Sequence, residues 1–195
     1  DTCIDTKLFG AVFATEGGND HLTGPIQFNW GYSLNKVELQ ESKTITSSFS
    51  SGEGVGKDFR VKYSLIAFGG GINALTAKHT QLTDDDLKLF DEAVIKSIPL
   101  NRTRSKSNQT PRLYIRVELI DNKTALKDLR EYISAKPIES KNDSHVEFID
   151  DLILDASKLI SYLKNNISKI SKIYYWLDDK INIDFSNFPK EKLTI

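Results

Sequence analysis

This chain of 195 residues has no methionine, one cysteine and only three histidines. Cys3 has no partner for an internal disulfide, which favours a reducing compartment and predicts a cytoplasmic protein. His21, His79 and His145 are far apart in sequence and form no pair at helical spacing, so no zinc-ligand motif is present. No apolar run approaches the roughly 20 residues of a membrane-spanning helix. The absence of methionine even at position 1 predicts a fragment or a processed form.

The chain has no large excess of charge of either sign, since 26 basic and 27 acidic side chains give a formal net charge of −1. This balance excludes a protein that binds nucleic acid over its whole surface, so any such site must be a local patch. The motifs of catalysis are also missing. The segment Gly52-Glu53-Gly54-Val55-Gly56 lacks the Gly-Lys-Ser/Thr of a phosphate loop, and no nucleophile-elbow motif occurs. We therefore expect no enzymatic activity, no cofactor and no metal.

One local patch stands out between Glu92 and Glu118, where there is no acid. Six positive side chains lie in this acid-free stretch: Lys96, Arg102, Arg104, Lys106, Arg112 and Arg116. Arginine presents a planar fork of donors that matches phosphate oxygens. The polar loop at residues 101–110, called here the basic loop, leads into an alternating strand, an arrangement suited to holding a nucleic-acid backbone. Charge alone does not separate this interpretation from a solvated loop beside a surface strand.

Helix and strand patterns are interspersed along the chain, which predicts an α+β fold with helices on one face of a sheet. Thr83 followed by three aspartates is a strong helix start, and that helix should end just before Pro99. Strands are predicted at residues 25–34, 59–68, 111–120 and 173–177, the last in a hairpin with 181–185, and helices at 124–135 and 146–170. Alternation with Phe28 predicts that Trp30 and Tyr32 are core residues.

Residues 35–60 have no clear periodicity, although the segment near Ile45 could pair as one arm of a hairpin. This long connection contains basic side chains at Lys36, Lys43, Lys57 and Arg60, and an aromatic one at Phe49. Bases stack on aromatic faces while Lys and Arg hold phosphates, so the mixture suits a single-stranded nucleic acid. Phe49 could instead anchor the loop on the domain.

Three segments together resemble the Cas-seven family, the backbone subunits of the CRISPR-associated Cascade complex, and most closely its type I-B members. The first is Asp5-Thr6-Lys7-Leu8-Phe9-Gly10 with Thr23-Gly24-Pro25-Ile26-Gln27-Phe28-Asn29-Trp30-Gly31-Tyr32-Ser33-Leu34. The second runs from Phe49-Ser50-Ser51-Gly52-Glu53-Gly54 to Tyr63-Ser64-Leu65-Ile66-Ala67-Phe68. The third is Thr103-Arg104-Ser105-Lys106 followed by Pro111-Arg112-Leu113-Tyr114. The likeness covers most of residues 5–120 and is looser beyond them.

The resemblance implies a modified ferredoxin-like (RRM-like) palm of the RAMP superfamily, formed by residues 1–195 as one domain. Residues 35–60 then occupy the place of a thumb-like insertion. The family's start, a methionine and a first strand with an Asn-Pro-Asn-Gly-Asp-like segment, does not lie upstream of Asp1. We therefore expect an N-terminal truncation, or a first strand supplied by another chain.

The function that the resemblance implies is a crRNA-binding, non-catalytic backbone subunit of a type I interference complex. Its implied partners are the crRNA, target DNA through the guide, further copies of itself in a helical filament and other Cascade subunits. The guide reads the target, while the protein holds the backbone by shape and charge. From charge and position, we expect RNA contacts from Arg102, Arg104, Lys106, Lys36, Lys43, Lys57, Arg60 and Phe49.

Two other functions remain open on the sequence. An RNA-processing endoribonuclease on a related ferredoxin-like fold would need a general-acid cluster of His, Tyr or Lys side chains. A protein-interaction module would use the basic loop to dock on an acidic partner.

Overall fold

The computed structural model describes residues 3–15, 18–41, 45–46, 55–56, 59–103, 106, 108–186, 188 and 193–194. Within these ranges the chain mixes helices with short strands, and the sheets are small and almost all antiparallel, as expected of an α+β fold. The helices are α1 (Ile4–Phe9), α2 (Ala74–Thr80), α3 (Asp84–Leu100) and α4 (Ser157–Asn165). The strands are β1 (Gly10–Thr15), β2 (Gly18–Thr23), β3 (Ile26–Phe28), β4 (Tyr32–Ser33), β5 (Gln40–Glu41), β6 (Ile45–Thr46), β7 (Val55–Gly56), β8 (Phe59–Arg60), β9 (Ile66–Ala67), β10 (Gly70–Ile72), β11 (Leu113–Leu119), β12 (Ser134–Pro137), β13 (Leu152–Asp155), β14 (Ile170–Leu177) and β15 (Leu193–Thr194).

The largest core lies between α4 and the sheet in which β14 pairs with β11 and β15. β11 and β14 are antiparallel, with Leu113 opposite Leu177, while β15 runs parallel to β14. Alternate residues of β11, such as Ile115 and Val117, pack toward α4, whose Leu163 is fully buried. The predicted strands at 111–120 and 173–177 are therefore confirmed.

The other face of the same sheet contacts α3. Tyr114 and Arg116, which alternate with the core-facing residues of β11, both bond to Asp91 of α3. Because successive side chains of a strand point to opposite faces, α3 and α4 lie on opposite sides of the sheet. The prediction of helices on one face is wrong, since the contacts that join α3 to this sheet through Asp91 are polar and leave no hydrophobic pattern.

The helix start at Thr83 is confirmed. Its hydroxyl accepts a hydrogen bond from the Asp86 amide at 3.2 Å, and the Asp86 carboxylate accepts one from the Thr83 amide at 2.9 Å, which forms a capping box. The helix continues through Pro99 to Leu100, because a proline in the last turn removes only one backbone donor. Phe90 of this helix packs with Leu8 and Ile26 in a second, smaller core.

The helices predicted at 124–135 and 146–170 are wrong over much of their length. Residues 134–137 and 152–155 instead form the antiparallel pair β12 and β13. Leu152 packs with Ala135 and Val146 while Ile153 is exposed, and this alternation is typical of a strand. The apolar spacing of the same segment also fits a helix, so the sequence alone does not distinguish the two. The predicted hairpin strand at 181–185 is not formed in the described chain, because its apolar side chains pack into the core instead.

A long antiparallel hairpin, called here the arm, joins residues 32–67. Three short pairs continue one another along it: β4 with β9, β5 with β8, and β6 with β7. The expectation that the segment near Ile45 pairs as a hairpin arm is thus confirmed, and residues 47–54 lie outside the described residues. None of the helices within the described ranges combines the length and hydropathy that crossing a membrane requires.

Candidate nucleic-acid interface

The cations of the acid-free stretch divide into two groups. Lys96 of α3 pairs with Glu92 at 2.8 Å, one turn back along the helix. Arg112, just before β11, pairs with Asp178 at 2.8 Å, and Arg116 pairs with Asp91. Carboxylates therefore neutralise half of the six charges that the sequence brings together.

Two hydrogen bonds and a ring contact hold the Arg116 side chain. Its Nε and Nη2 donate to the two oxygens of Asp91 at 2.7 and 2.6 Å, and its guanidinium lies 3.8 Å from the centroid of the Tyr174 ring. Tyr114 donates to Asp91 at 2.5 Å, and burial together with that hydrogen bond raises the pKa of Tyr114 well above its usual range. Burial alone would lower the pKa of Arg116, but its bonds to Asp91 raise it overall. This cluster joins α3 to the sheet and presents no charge to a ligand.

The second group comprises Arg102 and Lys106 of the basic loop. Both side chains are exposed, and neither forms an ion pair with any residue in the described part of the chain. The loop follows α3 directly, with the Arg102 amide donating to the Leu100 carbonyl at 2.9 Å and the Lys106 amide to the Thr103 carbonyl at 3.2 Å. Arg104, also predicted to bind RNA, lies outside the described residues.

The predicted site residues of the arm are only partly described. Lys36 and Arg60 are both exposed, and Arg60 lies in β8 opposite Gln40 of β5. Lys43, Lys57 and Phe49 lie outside the described residues. The structure thus places two of the five predicted arm residues on the solvent-facing surface.

A buried asparagine fastens the base of the arm. The Asn35 side chain accepts a hydrogen bond from the Leu65 amide at 2.8 Å and donates to the Tyr63 carbonyl at 3.4 Å. Leu34 and Tyr63 also pack against the small core around Val146. These contacts fix the direction in which the arm leaves the domain.

Tyr63 and Arg112 bring the base of the arm next to the end of the basic loop. Burial raises the pKa of the Tyr63 phenol, and the charge of Arg112 together with its hydrogen bond to the phenol oppose that rise. Tyr63 and Arg112 are 49 positions apart in the sequence (112 − 63), so two distant segments meet at this place. The sequence contains no local signal of this contact.

Trp30 is a functional candidate that sequence reasoning missed. The prediction that Trp30 and Tyr32 are core residues is wrong, because Trp30 is 90% exposed and Tyr32 is 51% exposed. The Trp30 carbonyl accepts a hydrogen bond from Arg130 Nη1 at 2.6 Å, and the Arg130 guanidinium lies 4.3 Å from the Tyr32 ring centroid. Alternation predicts one strand over residues 25–34, but the structure forms only Ile26–Phe28 and Tyr32–Ser33 there, and a covering layer is needed to bury an apolar face. An exposed indole can stack on a base or pack on a partner.

Metal chemistry finds no support among the described residues, where no three His, Cys, Asp or Glu side chains converge as ligands. His145 Nδ1 lies 2.5 Å from the Asn142 side-chain oxygen and belongs to a local turn. Within the described part of the chain, exposed cations lie on the basic loop and on the arm.

Comparison with known proteins identifies the family of the chain. The chain is 25% identical over 211 residues to the CRISPR-associated protein Cas7 of Haloferax volcanii, an alignment that covers 96% of this chain and 61% of the relative. The chain therefore spans less than two thirds of the length of that relative. The family model described as CRISPR-associated protein Cas7 matches residues 1–156, which include the basic loop and the whole arm. The chain belongs to the Cas7 family of CRISPR-associated proteins.

Proposed function

We propose that this chain is a non-catalytic subunit that binds the guide RNA (crRNA) of a type I CRISPR interference complex, Cascade, through the RNA phosphates. One observation carries the proposal. In the acid-free stretch, carboxylates neutralise Lys96, Arg112 and Arg116, whereas Arg102 and Lys106 are exposed without a carboxylate partner among the described residues. Exposed cations on a loop are the groups that position a nucleic-acid backbone without reading its sequence.

The proposal extends to the rest of the chain. Residues 1–195 form one modified ferredoxin-like palm, and the arm is its thumb. Lys36 and Arg60 contribute from the described part of the arm. The other contributing residues lie outside the described residues: Lys43, Phe49 and Lys57 of the arm, and Arg104 of the basic loop. Copies of the subunit line up along the RNA with other Cascade subunits in the cytoplasm, and the guide pairs with target DNA. Family membership and the paired arm support this arrangement.

The decisive experiment measures binding to a crRNA across a range of salt concentrations. For single strands, the negative slope of log K against log salt becomes shallower by about 0.7 for each phosphate that the protein no longer neutralises. The slope for R102A/K106A should therefore be shallower by about 1.4. Affinity should fall at least about tenfold, because each hydrogen bond to a charged group contributes about 1.5 kcal/mol or more. Lys96→Ala is the matched control, since that lysine is exposed but paired with Glu92. It should leave affinity and slope unchanged.

Unchanged affinity and slope in R102A/K106A would reject the basic loop as the site. The non-catalytic part of the proposal is tested separately by incubating the protein with repeat RNA in EDTA. Cleavage there would instead favour an RNA-processing endoribonuclease. Purified protein that is free of nucleic acid and binds only acidic proteins would favour an interaction module.

A further inference from the structure

Arg130 is a buried arginine that the proposed RNA site does not use. It lies in a single helical turn at Leu129–Tyr132, and its side chain is 8% exposed. Its Nε donates a hydrogen bond to Asp128 Oδ1 at 2.9 Å, and its Nη2 donates to Asp128 Oδ2 at 2.5 Å. Because the pair is bidentate, it fixes the plane of the guanidinium. The pair also leaves Nη1 for a contact elsewhere in the chain.

The Arg130 guanidinium contacts both ends of the arm. At the first end, Nη1 donates to the Trp30 carbonyl at 2.6 Å, and the guanidinium lies 4.3 Å from the centroid of the Tyr32 ring. At the second end, a Cβ atom added to Gly69 would lie 2.6 Å from Arg130 Nε, so the backbone there passes directly against the side chain. The Asn29 amide donates to the Gly69 carbonyl at 2.7 Å and joins the two ends.

The turn that contains Arg130 belongs to the largest core. Leu129 and Tyr132 pack against the buried cluster that includes Leu163. The Tyr132 ring also stacks on the ring of Tyr162 in α4, with 4.2 Å between the two centroids. The position of Arg130 is therefore set by the best-packed part of the molecule. Through this one side chain, both ends of the arm are attached to that core.

The attachment at Arg130 differs from the one at Asn35. Asn35 bonds the two strands of the arm to each other, and Leu34 and Tyr63 pack beside it on the small core around Val146. A hairpin attached at one place can pivot there, and a pivot at the base displaces the distant residues of the hairpin most. A second attachment, to a different core, removes that freedom.

We propose that Arg130 is a positioning residue, which fixes the direction of the arm so that Lys36 and Arg60 reach the RNA that the basic loop binds. Arg130 does not touch the RNA in this role, because its side chain is buried and Asp128 neutralises its charge. The inference rests on the proposed function, since it concerns how the cations of the arm are held for the same ligand. Its expected signature is loss of the contribution of the arm while that of the basic loop stays.

Two variants disturb this attachment from different sides. Arg130→Gln removes the cation that bonds to Asp128 and to the Trp30 carbonyl. Gly69→Ala leaves Arg130 and Asp128 in place, but its new Cβ atom displaces the guanidinium from the second end of the arm. Gly71→Ala is the matched control, because no atom lies within 4 Å of a Cβ atom built at that position. If Arg130→Gln fails to fold, which urea unfolding reveals, Gly69→Ala decides the outcome.

The first measurement reports the direction of the arm without RNA. Spin labels are attached at cysteines that replace Gln40 of the arm and Lys158 of α4, both exposed, after the exposed Cys3 is changed to serine. Pulsed electron paramagnetic resonance then gives the distribution of distances between the labels. The distribution should be narrow in the parent protein and in the control variant, and broader or shifted in both test variants.

The second measurement is crRNA binding across salt concentrations. In the parent protein, K36A/R60A should make the salt slope shallower by about 1.4, at about 0.7 for each lost phosphate contact. In the R130Q background, K36A/R60A should change the slope no further, because the arm no longer holds its cations against the RNA. R102A/K106A should make the slope shallower by about 1.4 in both backgrounds. A variant that merely lowered global stability would not separate the two pairs of cations in this way.

The outcomes distinguish this inference from the proposed function. Unchanged label distances in the test variants, or an equal effect of K36A/R60A in both backgrounds, would overturn the role of Arg130 and leave RNA binding intact. No effect of K36A/R60A in the parent protein, with R102A/K106A effective, would remove the arm from the RNA site and Arg130 with it. No effect of either pair would reject the proposed function itself, whatever the label distances show.

Discussion

Arg112 and Arg116 belong to the same acid-free stretch as Arg102, yet their guanidinium groups form ion pairs with carboxylates from elsewhere in the chain. Asp178 is 66 residues from Arg112, and Asp91 is 25 residues from Arg116. Such partners cannot be found by counting local charge, because only folding brings them together. A cation is available to a ligand only where the fold has not already placed an acid beside it.

This distinction predicts a stability difference between neighbouring acids. Asp91→Asn leaves the Arg116 side chain, which is 13% exposed, without its counter-charge, and breaking a buried pair costs about 3 kcal/mol. Glu92→Gln is the control, because its pair with Lys96 is exposed and contributes under about 1 kcal/mol. Urea unfolding of both variants checks the prediction. Equal and small losses of stability would mean that water already solvates Arg116.

At the scale of elements, Asn35 connects the two strands of the arm where they leave the domain. Asn35→Ala removes the acceptor of the Leu65 amide, and leaving such a group unsatisfied costs about 1–3 kcal/mol. Because the interaction is local, we expect faster hydrogen exchange at the Leu34 and Leu65 amides and little change in α4. Gln40→Ala, at an exposed position in β5, should leave exchange unchanged. Uniformly faster exchange over the whole chain would show that the amide supports the global fold instead.

Elements defined by local chemistry can be predicted from the sequence, and those defined by tertiary packing cannot. The capping box of α3 depends on Thr83 and Asp86 alone, so the sequence is enough to predict its start. Leu152 lies in an apolar run whose spacing also fits a helix, and only its packing against Ala135 shows that it is in a strand. Composition locates the basic loop. It does not show that Arg112 pairs with Asp178 while Arg102 has no such partner among the described residues, or that Trp30 is exposed, because these outcomes depend on contacts between residues distant in sequence.

At the scale of the whole molecule, two unequal cores lie on either side of β11. The core around α4 contains the fully buried Leu163 and Ile173, with many partly buried neighbours. The core around Phe90 is smaller, and polar contacts of Asp91 join it to the sheet. Regions with few buried apolar contacts open at lower free energy than the main core. Stability is therefore expected to differ between the two halves.

Hydrogen exchange measured by mass spectrometry tests this asymmetry. Amides of β14 and α4 should exchange most slowly, and those of β3 and β10 faster. Leu163→Ala should cost about 2–5 kcal/mol, because it opens a cavity in the main core, and should speed exchange throughout the chain, α3 included. Leu8→Ala, in the smaller core, should speed exchange in α1, β3 and α3 while β14 stays protected. If Leu8→Ala instead sped amide exchange in β14 as much as Leu163→Ala does, the two cores would unfold as one cooperative unit. The contacts of Asp91 would then couple them.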